Sequence, residues 1–136
     1  VDPKNGQRGI NPDLLQSQAE ALGKGLVEQK LSTTQLRRFY QSVQSIRRDL
    51  ESDDVSESDF ATGKLKARLA LLRAHAHYAH GQDQKKFPAL FLEFIKQNVH
   101  SVQTKEDYRS GFVPYFEAVV AYHRFYEAKN KGGAVK

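Results

Sequence analysis

Apolar residues recur at the three-to-four-residue spacing of an amphipathic helix along almost the whole chain. No useful length of sequence alternates between apolar and polar residues as a half-buried strand does. The connections between the helical segments are short, which favours antiparallel neighbours. The sequence therefore predicts an all-α fold, a compact bundle of about five helices with no sheet.

The openings of the first two helices are marked by capping residues. Asn11 is placed to cap a first helix that has Pro12 at its first position and ends at about Gln29. Ser32 and Gln35 have the spacing of a capping box for the second helix. A staple and an apolar stripe surround this box: Leu31, Leu36, Phe39, Tyr40, Val43, Ile46 and Leu50.

The third helix follows an acidic connection. The stretch from Asp49 to Asp59 holds six carboxylates and no basic residue, and its middle is typical of a solvated linker. We expect a helix from about Ser58 to His80, and Gly81 is expected to end it.

Two further helices complete the bundle. The fourth is predicted from about Lys86 to His100, which requires Pro88 to lie in its first turn. The fifth begins at Thr104, with Asp107 at the capping-box offset, and continues to about Lys129. Pro114 lies inside this pattern and predicts a kink, or a short helix joined to a longer one.

We expect residues 1–10 to form a flexible N-terminal segment, 11–129 a single helical domain and 130–136 a flexible tail. The chain has no cysteine, so it carries no disulfide and no cysteine-based metal site. No apolar run is long enough to span a membrane, and residues 1–10 lack the apolar core of a signal peptide. These features predict a cytoplasmic protein without a membrane partner.

The positive charge is concentrated in two acid-free stretches. The chain has 21 Lys+Arg against 16 Asp+Glu, a formal net charge of +5. No acidic residue occurs from Gln29 to Arg48 or from Ala61 to Gln82. An ordinary solvated helix face intersperses Glu with Lys, because like charges repel. A polyanion is therefore the simplest explanation, and the predicted nucleic-acid-binding residues are Arg37, Arg38, Arg48, Lys64, Lys66, Arg68, Arg73 and His77.

Signatures of catalysis and of metal binding are missing from the sequence. Of His75, His77 and His80, only the last two share a helix face, so the three do not form a chelating set. There is no nucleophile elbow and no glycine-rich phosphate loop. We therefore expect no cofactor, no metal and no enzymatic activity. His123 is predicted to be a hydrogen-bonded histidine of the core or of a groove.

Three blocks of sequence point to a family. The runs Leu31–Tyr40 (LSTTQLRRFY), Leu71–Gly81 (LLRAHAHYAHG) and Tyr115–Tyr126 (YFEAVVAYHRFY) together resemble the small subunit of type III-A CRISPR effector complexes. The matching residues are Thr34, Leu36, Arg37, Arg73, Tyr78, Gly81, Glu117, Ala118, Val120, Ala121 and Tyr122. The chain departs from the family at Gln82, where a basic residue often follows the glycine.

The resemblance implies a noncatalytic, all-helical subunit present in several copies, which lines the groove for guide RNA and target RNA in antiviral defence. Its expected partners are those two RNAs and the other subunits of the complex, including copies of itself. Tyr115, Phe125 and Tyr126 cluster on the last helix and are predicted to contact another subunit. The alternative is an autonomous helical interaction module whose basic face docks an acidic protein.

Overall fold

The computed structural model describes residues 17–52, 63 and 65–133, and helices account for nearly all of them. The final helical stretch, residues 105–133, is divided into three consecutive elements, so the described residues form a bundle of five helices. No strand occurs within the described ranges, and the predicted all-α fold of about five helices is confirmed. In chain order the elements are α1 (Ala19–Glu28), α2 (Thr33–Ser52), α3 (Leu65–Gln82), α4 (Ala89–Ser101), α5 (Lys105–Asp107), a π segment (Tyr108–Phe112) and α6 (Val113–Gly133).

Some predicted features lie outside the described residues. They are the segment 1–10, the opening of the first helix at Asn11, most of the acidic linker beyond Ser52, the start of the third helix near Ser58, and Lys64. At the other end, α6 continues to Gly133, beyond the predicted end at Lys129.

The end of α1 is a Schellman motif built without glycine. The N–H of Leu31 donates to the carbonyl of Leu26 over 2.9 Å, and the N–H of Lys30 donates to that of Val27 over 3.0 Å. Lys30 adopts the left-handed conformation with φ of 66°. Leu26 and Leu31 are both buried, which supplies the apolar contact that usually accompanies this motif. The motif ends α1 close to the predicted residue and turns the chain into α2.

The capping box predicted for α2 is only half formed. Ser32 Oγ accepts a hydrogen bond from the N–H of Gln35 over 3.3 Å, as expected. The N–H of Ser32, however, donates to the carbonyl of Lys86 over 3.0 Å rather than to the Gln35 side chain. The prediction of a reciprocal box was wrong because a long-range bond to the α3–α4 connection takes its place. That bond ties the start of α2 to a distant part of the chain.

The connection between α3 and α4 differs from the prediction at two residues. Gly81 does not end α3, which continues through Gln82. Asp83 then caps the turn, because its carboxylate accepts hydrogen bonds from the N–H groups of Lys85 and Lys86 over 3.1 and 3.2 Å. Pro88 therefore lies at the N-cap of α4 in extended conformation rather than inside the first turn.

The prediction of a short helix joined to a longer one near Pro114 is confirmed. Thr104 Oγ1 accepts from the N–H of Asp107 over 2.9 Å and begins α5. The π segment follows, and the N–H of Val113 closes its wide turn by bonding to the carbonyl of Tyr108. The wide turn changes the hydrogen-bond register just before Pro114, where the ring supplies no N–H. The proline is accommodated without separating α5 from α6.

An aromatic cluster fills the centre of the bundle. Neighbouring ring centroids lie 5.0 Å apart for Phe87 and Phe91, and 5.3 Å apart for Phe94 and Phe116. The buried phenylalanines of the cluster are Phe39, Phe87, Phe91, Phe94, Phe112 and Phe116. Most described aromatic side chains therefore serve the core, and only Tyr78 and Phe125 among them are more than half exposed. No helix within the described residues is long and apolar enough to cross a membrane.

Helix α1 packs closely against α6 at Gly23. A Cβ added to Gly23 would lie 2.7 Å from Cβ of Tyr122 and 2.9 Å from the backbone nitrogen of His123. Real Cβ atoms are not found this close to other atoms. A glycine inside a helix lowers helix stability, and here it permits a backbone contact that no other residue allows.

We predict that Gly23→Ala destabilises the protein, whereas Gly81→Ala stabilises it. Alanine gains about 1 kcal/mol of helix propensity over glycine at either position. A Cβ at Gly81 meets nothing within 4 Å, but at Gly23 it overpacks the α1–α6 contact, at a cost of about 1–3 kcal/mol. Urea unfolding of both variants measures the difference. Equal stabilisation by the two substitutions would contradict the close packing.

Candidate nucleic-acid interface

Three neighbouring grooves run along the sides of α2 and α3. Helix α2 contacts α6 on one side and α3 on the other, and α3 also contacts α4. Their volumes are about 330, 170 and 320 Å³ for the α2/α6, α2/α3 and α3/α4 grooves. The α2/α6 groove is lined by Thr33, Leu36, Arg37, Tyr40, Glu117, Val120, Ala121, His123 and Arg124. The α2/α3 groove is lined by Ser42, Ser45, Ile46, Arg68, Leu71, Leu72 and His75. The α3/α4 groove is lined by Lys66, Leu69, Ala70, Arg73, Val99, His100, Val102 and Gln103.

The residues predicted to bind RNA are divided among these grooves. Arg37 lines the α2/α6 groove, Arg68 the α2/α3 groove, and Lys66 and Arg73 the α3/α4 groove. Arg38, Arg48 and His77 are exposed on the surfaces of α2 and α3, and Lys64 lies outside the described residues. The structure thus places four of the eight predicted residues in neighbouring grooves rather than on one continuous flank.

The α3/α4 groove is the most uniformly basic of the three. Lys66 and Arg73 are both exposed and lie two helical turns apart on the same side of α3. His100, in the last turn of α4, faces the same groove. None of the described residues that line it is acidic. A polyanion can approach this groove without meeting a carboxylate on its walls.

The α2/α3 groove combines an ion pair with exposed apolar surface. Arg68 pairs with Asp49 across the two helices. Leu71 is 56% exposed and lines the groove beside His75. Arg68 is therefore less available to a phosphate than Lys66 or Arg73, because a carboxylate already contacts it.

A hydrogen-bonded network joins the polar edge of α2 to α6. The Tyr40 hydroxyl donates to Glu117 Oε2 over 3.2 Å, and Gln44 Nε2 donates to the Tyr40 oxygen over 2.8 Å. Arg47 extends the network by donating to Gln44 Oε1 over 3.3 Å. Burial, followed by the nearby Glu117 charge, raises the pKa of Tyr40, so its hydroxyl stays protonated and remains a donor. These bonds hold one end of the α2/α6 groove in a fixed arrangement.

His123 lies at the floor of the α2/α6 groove and is 1% exposed. Neither ring nitrogen has a hydrogen-bond partner within the described residues. Desolvation lowers the pKa of His123, while Glu127 and a backbone contact with Leu31 oppose that effect and Arg124 adds to it. The groove location was predicted correctly, but the expected hydrogen bonds were not found. The imidazole is neutral near pH 7, and both of its nitrogens are buried.

The three residues predicted to contact another subunit have different surroundings. The Tyr115 ring packs edge-on against Phe94, with centroids 5.6 Å apart, and is partly buried. The Tyr126 hydroxyl donates to Glu20 on α1, and Lys24 lies 5.8 Å from the centre of its ring. Phe125 is 56% exposed and packs edge-on against Tyr126. Of the three side chains, Phe125 presents the most apolar surface to solvent.

Sequence reasoning missed two contributors to the α2/α6 groove. Arg124 lies across the groove from Arg37, yet it occurs in a stretch of sequence that also contains Glu117 and Glu127. Arg124 therefore does not belong to an acid-free stretch of the sequence. The unpartnered state of His123 had no signal in the sequence, because it depends on how α6 packs against the start of α2. Among the described residues there is also no group of three His, Asp or Glu placed to hold a metal ion.

Comparison with known proteins identifies a family. A family model described as Csm2 Type III-A matches residues 10–129, which is most of the chain. This match confirms the resemblance indicated by the three sequence blocks. Neither the curated proteins nor the solved structures contain a significant match to the chain.

We predict that the protein loses stability as pH falls through about 6.5, and that His123→Phe removes part of this loss. The unfolded chain binds a proton at His123 near its ordinary pKa of about 6.5, whereas burial keeps the folded imidazole neutral to lower pH. The unfolded state therefore gains protons first as the pH is lowered. Urea unfolding of both proteins at pH 7.5 and pH 5 measures the effect. An unchanged pH dependence in the variant would contradict the assignment.

Proposed function

This chain belongs to the Csm2 Type III-A family and is a small subunit of the type III-A CRISPR effector complex, and we propose that it lines the groove holding guide RNA and target RNA. Membership of this family implies that the partners of the chain are the other subunits of the type III-A effector complex. We assign the subunit a noncatalytic, RNA-binding role, in keeping with the role that the family resemblance implies. The cytoplasmic location expected from the sequence stays a prediction.

One observation supports this role above the others. Exposed cations face two grooves on either side of the α2–α3 pair, with Arg37 and Arg124 on one side and Lys66 and Arg73 on the other. None of these four side chains is in an ion pair described for the structure. Cations kept free of carboxylates are suited to phosphate contacts, which supply most of the sequence-independent affinity for a nucleic acid.

We predict that replacing Arg37, Arg48, Lys66 and Arg73 with Ala weakens RNA binding without lowering the melting temperature. All four side chains are exposed, so truncation costs little stability. Each phosphate neutralised on a single strand contributes roughly 0.7 to the log–log salt slope, so the slope falls by up to about 2.8. Fluorescence anisotropy with single-stranded RNA at several salt concentrations measures it.

A matched control removes four cations from other surfaces, namely Lys24, Lys85, Lys96 and Arg109. The control should keep more of the salt slope than the first variant, because general charge is reduced equally while the grooves stay intact. Equal losses in the two variants would show that net charge, rather than the grooves, governs binding. Strong binding of an acidic protein together with no binding of RNA would favour the alternative interaction module.

We predict that Phe125→Ser lowers incorporation of the subunit into the complex, and that Leu71→Ser does not. The two side chains are each 56% exposed, so the substitutions remove exposed apolar surface from two different helices, α3 and α6. Phe125→Ser also leaves the Tyr126–Glu20 hydrogen bond in place. Native mass spectrometry of the reconstituted complex counts the copies. Full incorporation of the Phe125 variant would place the subunit contact on another face.

A further inference from the structure

Helix α3 carries apolar side chains on the side that faces solvent as well as on the side that faces the core. Its core side is formed by four buried residues, Leu65, Leu69, Leu72 and Ala76. On the opposite side, Leu71 is 56% exposed and Tyr78 is 68% exposed. Among the described residues only Phe125 on α6 is a further large apolar side chain with such exposure. A helix with apolar residues on both sides is typically covered on both, so the solvent side of α3 lacks a neighbour.

No charged residue interrupts this second apolar side. We call it the outer face of α3, and it consists of Ala67, Ala70, Leu71, Ala74, Tyr78 and Gly81, all of them exposed and on one side of the helix by their spacing. Leu71 and Tyr78 lie seven residues apart, which is about 10.5 Å along the helix axis. Ala74 lies between them and leaves room for an apolar side chain of a partner.

The outer face does not suit a nucleic-acid strand. Phosphates are bound by Arg and Lys side chains and by backbone N–H groups that are free. The outer face has no cation, and the N–H groups inside a helix are already bonded to carbonyls of the same helix. Among its side chains only the Tyr78 hydroxyl is polar. A contiguous exposed apolar surface with charged residues at its edge is typical of contact with another protein.

The charges beside the outer face determine the charge of that partner. Lys66 and Arg73 are exposed along one edge, where they line the α3/α4 groove. At the other edge Arg68 is already paired with Asp49. An apolar partner surface with carboxylates along one side can cover the outer face and also pair with Lys66 and Arg73.

A second copy of this chain does not supply that combination. No acidic residue occurs from Ala61 to Gln82, so packing α3 against α3 of another copy brings cations together and supplies no carboxylate. The Phe125 surface is also cationic, because Lys129 Nζ lies 6.0 Å from the centre of its ring and Arg124 beside it is exposed. Like charges that face each other across an interface are unfavourable. Charge therefore disfavours both ways of joining two copies through the outer face.

We propose that the outer face of α3 is a docking site for an acidic amphipathic helix of a partner protein. An apolar side chain of that helix lies over Ala74, between Leu71 and Tyr78, and its carboxylates pair with Lys66 and Arg73. This site goes beyond the proposed function, since it recruits a protein rather than RNA. It is also separate from the contact proposed for Phe125 on α6.

The test uses a fluorescently labelled peptide of about 20 residues, with leucine at every third or fourth position and glutamate along its flanks. A scrambled peptide of the same composition has the same charge but no apolar side. Fluorescence anisotropy measures the affinity of the chain for each peptide. The amphipathic peptide should bind at least about tenfold more tightly than the scrambled one. Equal binding would show that net charge alone attracts the peptide and would overturn the inference.

A first double variant removes the apolar contacts. Leu71→Ser with Tyr78→Ser should lower the affinity for the amphipathic peptide at least about tenfold. Both side chains are more than half exposed, so the variant is expected to fold, and circular dichroism with melting checks this. A folded variant that binds the peptide as tightly as the native chain would overturn the inference.

A second double variant removes the charged edge. Lys66→Gln with Arg73→Gln should lower the affinity for the amphipathic peptide about fivefold, because two charge pairs are lost. The matched control, Lys24→Gln with Arg109→Gln, removes two exposed cations elsewhere and should change the affinity less than about twofold. Equal losses in the two variants would show that the peptide does not lie along α3.

Measurements with RNA and of self-association separate the other occupants. The variant at Leu71 and Tyr78 should keep the native affinity for oligouridine, and a loss equal to that for the peptide would show that the outer face holds RNA bases instead. Sedimentation that reveals a dimer in the native chain and a monomer in this variant would identify a second copy as the occupant. Either result would overturn the inference.

The same titrations distinguish this inference from the proposed function. If the native chain binds oligouridine but not the amphipathic peptide, the inference fails and the RNA-binding role stands. If it binds the amphipathic peptide but not oligouridine, the RNA-binding role fails and the inference stands.

Discussion

The backbone contact between α1 and α6 at Gly23 determines where the rest of the structure can lie. Because Gly23 has no side chain, the backbone of Tyr122 and His123 approaches α1 more closely than a Cβ allows. This contact sets the depth of α6 in the bundle. The same turn of α6 carries His123 at the floor of the α2/α6 groove. A packing requirement in one interface thus positions a polar group in the next one.

The other side of α6 is positioned by polar bonds rather than by close packing. Glu117 is bonded to Tyr40 and Gln44 on α2, and the buried Tyr108 hydroxyl donates to the carbonyl of Val43 over 2.8 Å. These bonds are directional, so they fix the rotation and register of α2 against the final helical stretch. The apolar core alone tolerates small sliding movements, because hydrophobic contacts are not directional. The width of the groove therefore depends on polar contacts at its edge.

The structural features that depend on local sequence pattern, such as buried helix faces and helix starts, could be predicted from the sequence. The apolar stripes identified the core, and Thr104 with Asp107 marked a true helix start. The features that could not be predicted depend on distant partners. The N–H of Ser32 donates to the carbonyl of Lys86 rather than to the Gln35 side chain, and Arg124 acquires its significance only from Arg37 across the groove. Helical periodicity shows which side of a helix is buried, but it does not show which neighbour covers each flank.

The neighbouring helices that cover the flanks of each apolar stripe explain why these cations lie in grooves. On a bundle helix, the positions beside the apolar stripe lie where a neighbouring helix begins, so a long side chain there borders the groove between the two. Arg37, Lys66 and Arg73 all occupy such positions. Their aliphatic stems can pack on the groove walls while the charged ends stay in water. The α2/α6 and α3/α4 grooves flank the α2–α3 pair, so their rows of charge are separated by two interhelical distances of roughly 8–10 Å each. A flexible polyanion that crosses the helices can contact successive rows, whereas one lying along a single groove meets only its own row.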